Sequence, residues 1–175
     1  QATSIFATIA NDGVRVSPTV IAGTRDASGN FTPAPGRTSQ RVISSETAKA
    51  MRLMMESVVS GNGTAPSAAI PGYRVAGKTG TAQRIDDTCG CYRGYTASFI
   101  GFAPADNPAY VISVTIQDPK GMHWGGVLGG PVFKKVMSFV LQSRHIAPTG
   151  TAFEPIPLDK KALAAKKAQD ATANN

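Results

Sequence analysis

The sequence is poor in groups that bind metals. Two cysteines and two histidines stand among 175 residues, and His123 and His145 lie far along the chain from Cys89 and Cys91. A structural zinc site needs four ligands converging from Cys and His, so no metal centre is expected, and no motif asks for an organic cofactor. Long apolar runs are also missing. Nothing approaches the ~20 residues of a membrane-spanning helix, and no secretory leader opens the chain at Gln1. The expectation is a piece of a longer protein rather than a cytoplasmic one. Aromatic residues make up 7%, and the net charge of +7 is scattered, with doublets only at Lys134-Lys135 and in the tail. Without basic residues interleaved with stacking aromatics, no nucleic-acid partner is expected. Spread charge of this kind is either a solvated surface or a weak long-range attraction for anionic polymers and headgroups. No internal repeat is visible, and the composition is that of one globular core.

What the sequence does carry is concentrated in Val75-Ala76-Gly77-Lys78-Thr79-Gly80-Thr81-Ala82-Gln83. Small and β-branched residues lead into a cation and two hydroxyls, which predicts an inner strand lining a cleft. Side chains alternate along a strand, so Lys78 and Gly80 point one way, and Thr79 and Thr81 the other. Gly80 leaves room where a ligand backbone would lie close. Two hydroxyls, the Thr81 amide and the Lys78 ammonium suit an acyl substrate that ends in a carboxylate. An ordinary strand with an exposed lysine is the bland alternative, and the triplet alone does not decide between them.

Around that strand the chain reads as alternating helices and strands. Ile5, Phe6 and Ile9 share one face of a helix over residues 1–10, stopped at Asn11-Asp12-Gly13. Residues 14–22 are β-rich, 23–41 a surface loop or ragged hairpin, and Val42-Ile43 a brief strand. A helix enters at Ser44-Ser45-Glu46 and runs over 47–59, with Ala48, Met51, Met54, Met55 and Val58 inward and Leu53 off that face. Arg84 to Gly94 is a polar loop holding both cysteines. Strands follow over 95–103 and 109–117, turning at Asn107-Pro108. Asp118 to Gly130 is a glycine-rich loop in which Trp124 is either an anchor, the favoured reading, or a substrate contact. A helix over 131–143 then has Pro131 in its first turn and an apolar face of Val132, Phe133, Val136, Val140 and Leu141. From Pro148 large apolar residues thin out, which predicts a disordered tail over 148–175, with 158–171 helical only when bound. Cys89 and Cys91 flank Gly90, which permits the tight turn a disulfide needs; a bridge and free thiols both stay open.

Two stretches together carry a resemblance. Tyr73 to Gln83, followed by Ser98-Phe99-Ile100-Gly101-Phe102-Ala103-Pro104-Ala105, resembles the class B penicillin-binding proteins, and among them the actinobacterial cell-division transpeptidases. Lys-Thr-Gly is one of that superfamily's motifs. The resemblance spans roughly Gln1 to Ile146. It implies an α+β fold, the C-terminal portion of a penicillin-binding-protein/serine β-lactamase-like transpeptidase domain over 1–147, with antiparallel strands packed against helices. It implies a peptidoglycan D,D-transpeptidase of septal wall synthesis that works through an acyl-serine and is acylated by β-lactams. Its partners would be stem peptides, β-lactams and other cell-division proteins. Its place would be the extracytoplasmic face of the cell membrane, held by an N-terminal transmembrane helix outside this chain.

The same resemblance assigns roles. Lys78 supplies positive potential and helps the proton network. Thr79 and Thr81 hydroxyls hold the substrate or drug carboxylate. The Thr81 amide is half of the oxyanion hole, Gly80 lets the acyl chain pair with the strand, and Gln83 faces the cleft. The nucleophile itself is lacking: no lysine has a serine three residues before it, so Ser-x-x-Lys is absent. Ser28-Gly29-Asn30 and Ser60-Gly61-Asn62 match Ser-x-Asn, but both sit in glycine-rich stretches and read as coincidence. The expected partner is therefore an upstream segment carrying Ser-x-x-Lys and the functional Ser-x-Asn. The alternative is a non-catalytic β-lactam-sensing or binding module of the same fold. A β-lactamase fits the long stretch 84–94 and the tail less well.

Overall fold

The chain was analysed as a computed structural model, which describes residues 1–153, 164 and 165. Among the described residues three helices and seven strands follow in the order α1 (Ala2–Ala10), β1 (Val14–Val16), β2 (Gly23–Arg25), β3 (Phe31–Pro33), β4 (Ser39–Arg41), α2 (Ser45–Ser57), β5 (Ala76–Asp86), β6 (Cys91–Ala103), β7 (Tyr110–Gln117) and α3 (Gly125–Ser143). A short 3-10 turn at Pro66–Ala68 precedes β5. The architecture is α+β, as expected.

Among the described residues the organising unit is an antiparallel sheet in the order β5-β6-β7, so β5 is an edge strand rather than the inner strand expected. Lys78 lies opposite Ile100, Gly80 opposite Ser98 and Thr81 opposite Ala97. α3 packs on this sheet. Phe99 meets the Phe133 ring edge to face at 5.0 Å, and Phe133, Met137 and Leu141 are fully buried. On the other side, Phe6 and Ile9 of α1 pack against Met55, Ala76, Phe102 and Ala105. Two small ribbons, β1-β4 and β2-β3, stand outside the main sheet. They resolve the ragged hairpin, and the strand falls at Ser39–Arg41 rather than at Val42-Ile43.

Several expectations shift for physical reasons. α3 starts at Gly125, six residues before Pro131, because glycines let it lie directly on the strands: a Cβ at Gly125 would strike the Ser98 and Gly80 carbonyls, and one at Gly129 would meet Phe99 Cβ at 2.8 Å. Pro131 is therefore inside the helix, on its exposed side. Glycines carry no hydrophobic signal, so the phase of the apolar face is misread: Val132 and Val136 are exposed and Met137 is buried. In α2 the buried residues are Ala48, Met55 and Glu56, with Met54 exposed, and Val59 is buried just past its end; Ser44 caps the helix, accepting from the Thr47 amide at 3.0 Å. Ile5 is exposed too, on a groove it shares with Val42 and Met51.

The polar loop 84–94 is mostly strand. β5 and β6 run on as an exposed ribbon past a register shift between Gln83 and Ile85, leaving only residues 87–90 as a turn. A ribbon with both faces in water shows no hydrophobic alternation, which hides it in sequence. Cys89 and Cys91 are disulfide-bonded across this turn, with Cα atoms 5.2 Å apart and Gly90 at φ +64°.

Contacts with the domain continue past residue 147. The Thr149 amide donates to the Gly72 carbonyl at 2.8 Å, and the Arg74 amide donates to Thr149 Oγ1 at 3.3 Å. The rest of the expected tail, including most of the 158–171 helix, lies outside the described residues.

Candidate active site

Strand β5 brings the sequence-predicted residues to one edge of the sheet, and two other segments close on them. Lys78 Nζ curls around the edge and donates to the Thr79 carbonyl at 3.0 Å and to Thr79 Oγ1 at 3.2 Å. Strand alternation puts the two residues on opposite faces, and the long lysine stem overcomes it. Thr79 Oγ1 also lies 3.3 Å from Thr64 Oγ1, on the segment that leaves α2. Thr81 Oγ1 accepts from the Gly125 amide at 3.2 Å. That bond aims the N-terminus of the 19-residue helix α3 at the threonine face of the strand. The first turn of α3 holds no acidic residue, so its unpaired amides and dipole keep their positive character there. An ammonium, three hydroxyls and a helix N-terminus thus converge on one strand edge, the kind of groups that attract an anion.

Gly80 has a different local reason from the one expected. A side chain there would meet Ser98 Oγ of β6, so the glycine also leaves room for the hydroxyl of the neighbouring strand. Gln83 is exposed on the face that Thr79 and Thr81 share, the last residue before the register shift. Cys89 and Cys91 sit at the far tip of the ribbon, away from Lys78, and take no part in this cluster.

Three contributors escape sequence reasoning. Thr64 and Gly125 are brought in only by the tertiary fold, although Gly63-Thr64-Ala65 and the Gly125-Gly126 pair mark where close approaches occur. His123 stacks on Tyr95 with ring centroids 4.0 Å apart and planes 7° off parallel. Trp124, read as a loop anchor in preference to a substrate contact, is 57% exposed beside His123. Beyond this aromatic group the rim is charged. Asp118 pairs with Lys120 at 2.6 Å and Arg84 at 3.6 Å, and Asp86 with Arg93 at 3.7 Å. The Lys120 ammonium, bonded to Asp118, holds that carboxyl below the usual range. For Asp86 the hydroxyl of Thr88 does so first, then the Thr88 amide.

With this geometry in view, comparison with known proteins is decisive. The family description of the penicillin binding protein transpeptidase domain matches residues 1–138. The chain belongs to the penicillin-binding protein transpeptidase family. It is 43% identical over 158 residues to penicillin-binding protein PbpB of Mycolicibacterium smegmatis, covering 85% of this chain and 24% of that protein. It is 41% identical over 116 residues to stage V sporulation protein D of Bacillus subtilis, covering 66% of this chain and 18% of that protein. Penicillin-binding protein 3 of Mycobacterium tuberculosis, solved with ampicillin, superposes with a TM-score of 0.80 at 38% identity, over 90% of this chain and 37% of that one. The chain thus spans about a quarter of the length of the mycobacterial relatives it matches, 24% and 23%. In this transpeptidase family Lys78-Thr79-Gly80 falls on the Lys-Thr-Gly motif. Thr64, Thr81 and the α3 N-terminus are its structural neighbours in this chain.

Proposed function

We propose that this chain is the C-terminal part of the transpeptidase domain, residues 1–147, of a peptidoglycan D,D-transpeptidase of cell division. It forms the Lys-Thr-Gly wall of a cleft whose nucleophilic serine lies on a segment outside these residues. The observation that carries the reading is the convergence of Lys78, Thr79, Thr81 and the α3 N-terminus on one strand edge.

The chemistry follows from that edge. The serine hydroxyl, deprotonated by the lysine of its own Ser-x-x-Lys motif, attacks the carbonyl between the two D-alanines of a stem peptide. The carbonyl oxygen gains negative charge, and the Thr81 amide with the amide of the serine stabilises it. Donors aimed at such an oxyanion contribute about 3 kcal/mol each. The terminal carboxylate is held by the Thr79 and Thr81 hydroxyls, and Lys78 with the helix N-terminus favours its charge. The C–N bond breaks, D-alanine leaves, and the acyl-serine is taken up by an amine of a neighbouring stem peptide. A β-lactam presents a carboxylate and a strained amide to the same groups and stays on the serine. Gly80 and the open edge of β5 admit the acyl chain as an added strand, with Gln83 at its end. The enzyme works at the extracytoplasmic face of the membrane alongside other cell-division proteins, anchored through a helix outside this chain.

The test is turnover by the complete protein on a stem-peptide donor ending in D-Ala-D-Ala, with an amine acceptor. Release of D-alanine with formation of the cross-linked product is expected, and its abolition in Thr79→Val with Thr81→Val. A folded complete protein that releases no D-alanine, and takes no β-lactam, overturns the reading.

A further inference from the structure

Catalysis by an edge strand has a mechanical requirement. Among the described residues β5 is held by a ladder on one side only, and that ladder shifts register just past Gln83. Lys78, Thr79 and Thr81 must nevertheless keep their places along the strand to a fraction of an ångström. Something has to fix the other end.

The lead-in to β5 is gripped at Arg74 from several directions. Its guanidinium makes two bonds to Glu56 of α2, Nε to Oε2 at 2.8 Å and Nη2 to Oε1 at 2.7 Å, and Glu56 is only 3% exposed. Its carbonyl accepts from the Ala105 amide at 2.8 Å. Its amide donates to Thr149 Oγ1 at 3.3 Å, and Nη1 reaches Thr151 Oγ1 at 3.4 Å. Thr149 is fixed in turn by its own amide on the Gly72 carbonyl at 2.8 Å and by its hydroxyl on Asp106 Oδ1 at 3.3 Å. The segment after α3 therefore lies as a strap across residues 72–74. Arg74 precedes β5 and is not among the groups that converge at Thr79 and Thr81. A buried pair of this kind contributes little net stability compared with apolar packing, which leaves geometric definition as its use here.

The path from Arg74 to Lys78 is stiff. Val75 and Ala76 are buried, and at Gly77 a side chain would collide with the Phe99 ring. Over four residues, about 13 Å of extended chain, a shift at Arg74 has no slack to absorb it. We propose that Arg74, held by Glu56 and by the Thr149 strap, is a positioning residue that sets the register of Lys78, Thr79 and Thr81 in the cleft. The inference rests on the acyl-transfer reading above.

The experiment uses the complete protein and a fluorescent penicillin, resolving the acylation rate constant from the pre-acylation dissociation constant, well below the melting temperature. Thr149→Val removes one hydroxyl at near-constant volume and keeps the Thr149 amide bond. It is expected to lower the acylation rate constant about tenfold, within the range that misplacement by up to an ångström causes, with Thr149→Ser restoring it. Arg74→Lys, which keeps the charge and loses the fork, is expected to lower it further. If both variants acylate at the wild-type rate while only their melting temperatures fall, the clamp is structural and the proposal is wrong. Equal loss in Thr149→Val and Thr149→Ser overturns it as well. Failure of the wild-type protein to acylate refutes the underlying reading instead, so the two failures are distinguishable.

Discussion

Replacing Gly125 by alanine tests the packing that joins α3 to the cleft. A Cβ there would meet the Ser98 and Gly80 carbonyls, with Ser98 N at 3.0 Å. All three are backbone atoms of the sheet and cannot swing aside as a side chain would. The helix end must lift by about an ångström, and overpacking of this kind costs about 1–3 kcal/mol. Alanine returns up to about 1 kcal/mol in helix propensity, and less at a first-turn position, so a net loss of about 1–2 kcal/mol is expected. The lift also lengthens the bond from the Gly125 amide to Thr81 Oγ1, now 3.2 Å, and turns the helix N-terminus away from the carboxylate pocket. Acylation of the complete protein by a fluorescent penicillin should fall about ten- to a hundredfold. Gly36→Ala is the control, because a Cβ there meets nothing within 4 Å. Urea unfolding and stopped-flow acylation read the two effects. A Gly125→Ala protein with unchanged midpoint and unchanged acylation refutes the argument that glycine is needed for this approach.

Thr79→Val removes a hydroxyl within 3.2 Å of Lys78 Nζ; losing a bond to a charged carboxylate costs about 1.5–3 kcal/mol, so acylation efficiency should drop about 10- to 150-fold with little change in melting temperature. Glu56→Ala removes the buried carboxylate that the Arg74 guanidinium grips twice and should destabilise the fold by about 1–3 kcal/mol, whereas Glu56→Gln should cost clearly less; equal midpoints for the two in urea would contradict this. Asp86 has its carboxyl held low by the Thr88 hydroxyl and amide. Its folded value lies below the unfolded one, so the stabilisation is present above about pH 4 and is lost as pH falls through the folded value. Amide exchange at Thr88 should accelerate below that point, and Thr88→Ala should move the Asp86 titration, followed by NMR, upward.

The central strand and its chemistry are legible in sequence because Lys78 to Gln83 combines small residues, hydroxyls and a cation in a pattern few other roles need. Helix α2 is legible through its Ser44 cap. The start of α3 is not, because Gly125, Gly126, Gly129 and Gly130 read as loop until a sheet lies beneath them. The β5-β6 ribbon beyond Gln83 is hidden because both its faces meet water. Thr64 and the Arg74 clamp escape as well: their partners lie 15, 18 and 75 residues away, at Thr79, Glu56 and Thr149, and no local pattern encodes such distances.

The central claim, that these residues build one wall of a cleft whose nucleophile is elsewhere in the protein, is tested most directly by mapping a β-lactam adduct. The complete protein is acylated, digested and read by mass spectrometry. The account predicts a single adduct on a serine outside residues 1–175, within Ser-x-x-Lys, and its loss of rate in Thr79→Val. An adduct on any serine of this chain, or an adduct formed at the same rate without the Thr79 hydroxyl, contradicts it.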